Sequence, residues 1–375
     1  MVIKQQIIDK ALEIGFDDIG FTGTEPFTSQ LEFLRNSDYS WTKRIGLDSE
    51  RFIQPTEIMP ECKSIIVLIY RYLRSNIPAS LSGHFGRCYL NDDRMTKDGL
   101  NLKVKAFRKF LTENGINTKL AAAAPDKLAA ARAGIGTFGK NCLLYASKSA
   151  FKSSFIYPIV MAADANLEPD NPNIKTDCPS WCRNACIAAC PTKALLGNGS
   201  INLERCISYL SYFGNELTPL ELREPMGMCI YGCDRCQNVC PRNQPLLATM
   251  MPEDDRITDM SKNFLLEKLI TMDAEYFKKF VHPHMFYMPE QFIWKWKMNS
   301  ARAMGNSLDK KYIPYLIDAM NNEDDERVKS MAAWSLGKIG GEQALDALKK
   351  AYNEYSGAVK GEIEAAIEKC HYFSV

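Results

Sequence analysis

Eight of the thirteen cysteines in this 375-residue chain fall into two runs that each end in Cys-Pro. The first is Cys178, Cys182, Cys186, Cys190-Pro191; the second is Cys206, then Cys233, Cys236, Cys240-Pro241. This layout predicts a domain folded around two [4Fe-4S] clusters. A cubane presents four iron corners, and three thiolates from one tight loop reach three of them, so the fourth ligand must come from elsewhere. In two-cluster domains the cysteine before the proline crosses to the other cluster. Cys178, Cys182, Cys186 and Cys240 then form one ligand set. Cys190, Cys233 and Cys236 belong to the other, whose fourth ligand is Cys206 or Cys229. The first run reads C-x3-C-x3-C-x3-C-P, looser than the bacterial C-x2-C-x2-C-x3-C-P, and the second keeps C-x2-C-x3-C-P.

Other uses of these cysteines fit less well. Disulfide scaffolds are short and secreted, and the opening MVIKQQIIDKALEIGFDD has no signal-peptide pattern. Zinc ribbons use two C-x2-C pairs, which leaves the paired Cys-Pro endings unexplained. Cys62, Cys88, Cys142 and Cys370 stand alone and read as buried small hydrophobes. Free thiols and oxygen-sensitive clusters point to a reducing cytoplasm. A net charge of +1 gives no global attraction for nucleic acid. The apolar runs are far short of the roughly 20 residues a bilayer demands.

Hydrophobic periodicity divides the chain into three regions. Ile3, Ile7, Ile8, Ala11, Leu12 and Ile14 recur at helical spacing and stop at Gly15, before a strand around residues 19–21. Residues 64–70 (SIIVLIY) are a β-branched run expected to be buried on both faces. A helix over 100–111, a strand over 118–124, a helix opening at Pro125-Asp126, and strands over 141–146 and 154–162 complete an α/β region. The fold class is therefore α+β multidomain, with boundaries expected at 1–168 (α/β), 169–253 (cluster-binding, ferredoxin-like) and 254–375 (helical). The last region repeats itself with an offset of 32 residues: Ala301-Arg302-Ala303-Met304-Gly305 recurs as Ala333-Trp334-Ser335-Leu336-Gly337. Such paired helices resemble HEAT units.

Taken together, IGFDDIGFT, IMPECKSIIVL, RAGIGTFGKNCLL, CPTKAL, RCISYL, YGCDRCQNVCP and the helical repeat resemble the epoxyqueuosine reductase family over nearly the full chain. The resemblance implies a cobalamin-binding α/β domain, a double-[4Fe-4S] ferredoxin-like domain and a HEAT-like tail. The implied activity is reduction of epoxyqueuosine to queuosine in tRNA, the last step of queuosine synthesis. It further implies tRNA as partner and a low-potential donor such as flavodoxin or ferredoxin; a monomer with no membrane association is expected. It selects Cys206, the cysteine of RCISYL, over Cys229. For cobalamin contacts it points to Arg51, Leu144, Phe155 and Ser208.

Three stretches depart from the family pattern. Where the family carries Val-Asp-Thr-Gly with a proton-donating Asp, this chain has Lys119-Leu120-Ala121-Ala122, so Leu120 takes the acid's place. Asp126 is the nearest substitute and the candidate catalytic residue, although it also opens a helix. Residues 84–94 (HFGRCYLNDDR) retain only Arg87 and one of Asp92 or Asp93 from a family loop beside the cofactor. In the tail a family arginine becomes Met298, leaving Lys295, Lys297 and Arg302 as candidate phosphate contacts. These departures leave open a related cobalamin and iron-sulfur reductase acting on another small molecule or corrinoid, or an electron carrier.

Overall fold

The computed structural model describes residues 3–35, 53–122, 124–148 and 152–372. Arg51 lies outside them. The first region builds on a four-stranded antiparallel sheet in the order β1-β2-β6-β3, with β1 at Asp18–Thr22, β2 at Ser64–Arg71, β3 at Thr118–Leu120 and β6 at Ile156–Ala163. A hairpin of β4 (Gly136–Phe138) and β5 (Leu144–Ala146) stands beside it. Helix α1 (Lys4–Ile14) ends where Gly15 adopts φ 102°, a left-handed cap that glycine takes without strain.

β2 is central, and its alternating side chains feed two cores. Ile66, Leu68 and Tyr70 pack with α1 and α2 (Leu100–Glu113) through Ile7, Ala11, Phe107 and Leu111. Ile65, Val67 and Ile69 face α3 (Asp126–Arg132) and the hairpin through Leu128, Ala129, Ile135 and Leu144. That is why the run reads as continuously apolar although the sheet is antiparallel: both faces are covered. Each such aliphatic side chain contributes about 1.5–3 kcal/mol by leaving water. β3 is shorter than the expected 118–124, because it is an edge strand whose register with β6 stops at Leu120 opposite Met161.

One core polar group is only half satisfied. Asp18 accepts from the Ile19 N–H with Oδ1 at 2.9 Å, while its buried Oδ2 has no partner. Burial, outweighing that bond and Lys148, lifts its carboxyl from 3.8 to about 6. The folded state therefore holds this proton more tightly than the unfolded chain. The associated stability is complete below pH 3.8 and is lost as pH rises through 6, to an extent on the order of 2 kcal/mol. Asp18→Asn is expected to abolish this decline between pH 4 and pH 6, as read by denaturant unfolding across that range.

The cysteine region is made of short helices and loops, including α4 (Ala185–Ala188), α5 (Ile207–Tyr212) and α6 (Arg235–Asn238). The tail then stacks α7 (Ile293–Ser307), α8 (Ile313–Asn322), α9 (Glu326–Ile339), α10 (Glu342–Tyr352) and α11 (Gly357–Tyr372). The 32-residue repeat marks its helix crossings. A Cβ on Gly305 would stand 2.8 Å from the Ser335 Cβ, and one on Gly337 only 2.6 Å from the Ala366 Cα, so glycine permits both approaches. The largest core joins this tail to Leu81, Phe85 and Leu90 from the first region and to Ile230 and Tyr231 from the cysteine region. None of the described helices is long and apolar enough to cross a membrane.

Candidate functional site

The first thiol set gathers around Cys186. Its thiol is buried, and burial, followed by the nearby Cys182, Cys240 and Cys178, pushes it up to about 11. The extra residues of the looser first run are absorbed by backbone curvature, since Arg183 (φ 48°) and Asn184 (φ 60°) are both left-handed. Polar groups already point at the sulfurs. The Lys140 N–H donates to Cys178 Sγ at 3.4 Å, and the Tyr145 hydroxyl, itself accepting from Asn141, donates to Cys240 Sγ at 3.1 Å. Bonds of this kind tune cluster potentials.

The second set lines one cavity of about 280 Å³, with Cys190, Cys206, Cys233 and Cys236 all on its wall. The Ala194 N–H reaches Cys190 Sγ at 3.3 Å. Cys236 stands between the sets: burial, then Cys206, Cys186 and Cys190, raise its thiol to about 12. Cys229 is not part of that wall. It sits behind Cys233, whose thiol donates to it, and its own Sγ faces the Gly83 carbonyl at 3.5 Å. Among the described residues no three side chains converge as one metal ion requires. A cubane does not ask this of its ligands, because each thiolate binds a different iron.

The opposite wall of the cavity comes from the end of the sheet, where Tyr72, Leu143, Ile156 and Tyr157 meet the Cys88 side chain. A buried polar staple locks the cysteine region to this sheet end. Asn243 exchanges hydrogen bonds with Ser154, through Ser154 N–H to Oδ1 and Nδ2 to the hydroxyl, both at 2.9 Å, and Gln237 donates to the same hydroxyl at 3.0 Å.

The candidates singled out from the sequence are distributed unevenly around this cavity. Ser208 lines it and hydrogen-bonds Tyr89. Leu144 and Phe155 do not: Leu144 packs in the core beneath β2, and Phe155 packs with Tyr72, Leu73 and Leu246. Their neighbours Leu143 and Ile156 face the cavity instead, because adjacent residues along extended chain point to opposite sides. Asp126 accepts from the Lys127 N–H at 2.7 Å at the start of α3, and burial raises its carboxyl. It is outside the lining, although Lys127 reaches the Cys142 carbonyl at 3.1 Å, one residue from Leu143. Leu120 is exposed at the end of β3.

The 84–94 loop is held by ion pairs. Arg87 bonds Asp234 through its backbone N–H (2.8 Å) and Nη1 (3.2 Å), which ties the loop to the second cysteine run. Asp92 takes both arms of Arg94, and Asp93 accepts from Tyr70. The three basic candidates of the tail also turn inward. Lys295 donates to the Tyr212 carbonyl at 3.0 Å, Lys297 to Glu323 at 2.6 Å, and Arg302 to the Cys229 carbonyl. They brace the tail internally and against the cysteine region rather than facing solvent. Cys88, expected from the sequence to be an isolated buried thiol, stands on the cavity wall.

Comparison with known proteins accounts for this architecture. A 4Fe-4S double cluster binding domain model matches residues 178–243, and a HEAT-repeat model matches residues 294–368. The epoxyqueuosine reductase of Bacillus subtilis (strain 168) is 31% identical, covering 98% of this chain and 95% of its own length. The chain belongs to the epoxyqueuosine reductase family. The Staphylococcus aureus epoxyqueuosine reductase is 27% identical, with 96% of this chain and 95% of its own covered. Two solved epoxyqueuosine reductases share the fold, each covering 98% of both chains at 28% identity. One, with an epoxyqueuosine-modified tRNA-Tyr stem loop, aligns at TM-score 0.80. The other, from Bacillus subtilis with its catalytic aspartate loop swung out of the active site, aligns at 0.77. As an epoxyqueuosine reductase homologue the chain is an oxidoreductase with a double-cluster domain, and the two thiol sets fit the clusters: each gathers four cysteines, and the second surrounds a hollow.

Proposed function

We propose that this protein reduces epoxyqueuosine in tRNA to queuosine, with the second cluster held on the thiol-lined side of the cavity and cobalamin lying against the sheet-end wall, where the hollow opens outward. The observation that carries this reading is the cavity itself. One wall holds Cys190, Cys206, Cys233 and Cys236, and the other is apolar and aromatic, which suits the face of a flat macrocycle stacked against a cluster. Cobalamin supplies the cobalt that joins one-electron clusters to a two-electron reduction.

The chain's own residues have distinct tasks. Cys178, Cys182, Cys186 and Cys240 hold the entry cluster; Cys190, Cys206, Cys233 and Cys236 hold the one beside the cavity. Leu143, Ile156 and Tyr157 exclude water from the cavity wall, and Ser208 orients the bound group from the cysteine side. The helical tail offers the surface for tRNA, while a flavodoxin or ferredoxin supplies electrons. With Leu120 in the acid's place, the proton for the product comes from the cavity wall, where the Cys88 thiol and the Tyr72 hydroxyl stand, or from water admitted with the substrate.

The altered acid position and Cys88 favour, as a second reading, the same cofactors acting on another epoxide. The test is anaerobic incubation of cobalamin-loaded protein with epoxyqueuosine-containing tRNA and a low-potential reductant, followed by nucleoside mass spectrometry. Queuosine should appear and epoxyqueuosine disappear. No conversion by protein carrying both clusters and cobalamin would rule out this substrate.

A further inference from the structure

Arg302 is a buried charge with most of its hydrogen-bonding capacity unused. It lies on α7 with no solvent exposure, and its Nε and Nη1 have no hydrogen-bond partner. Its remaining nitrogen, Nη2, donates to the Cys229 carbonyl and, at 3.4 Å, to Asn299 Oδ1. Among the described residues no carboxylate pairs with it. A buried guanidinium with one satisfied nitrogen is expensive unless an anion stands close by. Its bond to the Cys229 carbonyl sets the guanidinium beside that residue, and Cys229 packs directly against Cys233. A cluster held by four thiolates is a net anion in both redox states, and it becomes more negative on reduction. The missing counter-charge and the ligand set of the second cluster therefore lie on the same side of Arg302.

We propose that Arg302 is a positioning residue for electron transfer: its fixed positive charge raises the reduction potential of the cluster ligated by Cys233, stabilising the reduced form. The step is a single electron passing from a low-potential protein donor to the oxidised cluster, with no bond made or broken and no proton moved. Arg235, which lines a cleft with Cys229 and Cys233, is only partly buried and is screened by solvent. Arg302 is unscreened, so its effect should persist at high salt. The proposal rests on the assignment of Cys233 to the cavity-side cluster.

The test is an anaerobic EPR redox titration of the full-length protein carrying both clusters, as wild type and as Arg302→Met, Arg302→Gln and Arg302→Lys. Arg302→Gln retains a donor for the Cys229 carbonyl and removes the charge, whereas Arg302→Lys keeps the charge. Iron content and thermal unfolding establish that each variant is folded and loaded. The Met and Gln variants should lower the potential of one cluster by at least a tenfold change in its oxidised-to-reduced ratio, equal to 59 mV for one electron. The other cluster should not move, and Arg302→Lys should remain near wild type. An unchanged potential in loaded Arg302→Gln would overturn the proposal, as would equal shifts in the Gln and Lys variants, which would assign the effect to hydrogen bonding. Absence of cluster signals from wild type would instead overturn the cluster assignment beneath it.

Discussion

Cys206→Ser should leave the protein with one of its two clusters, halving its iron content, while Cys229→Ser should retain both. The two cysteines competed for the same role in the sequence, and they differ in where they stand. Cys206 is on the cavity wall with Cys190, Cys233 and Cys236. Cys229 is a layer further back, buried against Gly83 and behind Cys233. A cubane held by Cys190, Cys233 and Cys236 on the thiol-lined side has its fourth corner toward Cys206, and serine there substitutes a weaker ligand for a thiolate. Because the proposed electron path passes through this cluster, Cys206→Ser should also lose turnover by more than 100-fold, on the scale of a broken metal site. Iron quantification and EPR of the anaerobically purified variants check both outcomes. Two intact clusters in Cys206→Ser would move the fourth ligand elsewhere.

Filling the cavity should separate cobalamin binding from cluster binding. Leu143 is partly exposed on the cavity wall, between buried Asn141 and buried Leu144. Leu143→Trp projects an indole into the space assigned to the macrocycle, and the fold pays little because the position already faces a hollow. We expect cobalamin affinity to fall at least tenfold, about 1.4 kcal/mol, with iron content unchanged. Leu144→Met, a nearly volume-conserving change in the core, should leave binding at the wild-type level. Titration of the loaded protein with cobalamin, followed by its visible spectrum, measures both. Equal affinities in wild type and Leu143→Trp would place the cofactor outside this cavity.

The contrast between Leu143 and Leu144 also shows what can be read from a sequence of this kind. The cluster ligands are legible because cubane geometry imposes spacings within short loops. The repeat is legible because Gly305 and Gly337 mark equivalent helix crossings. β2 is legible because both faces of the sheet are covered. A cavity wall imposes no such pattern: moving one residue along an extended chain exchanges core for cavity, and Leu144 and Phe155 sit on the core side. Edge strands are similarly hard to delimit: the register of β3 with β6 runs to Leu120, one further bond joins the Ala121 N–H to the Val160 carbonyl, and the apolar alanines continue beyond it. The burial of Lys295 and Arg302 was invisible for another reason. Basic residues on a helix ordinarily face water, and here that face meets the cysteine region through the Tyr212 and Cys229 carbonyls.

The central claim is that the cavity-side cluster stands directly against the cobalamin it reduces. Anaerobic EPR of the partly reduced, cobalamin-loaded protein tests this most directly, since two paramagnets in adjoining sites perturb one another. The cob(II)alamin signal should be broadened or split when that cluster is reduced, and should return to its simple form in Cys206→Ser. A cob(II)alamin signal indifferent to the reduction of either cluster would contradict the account.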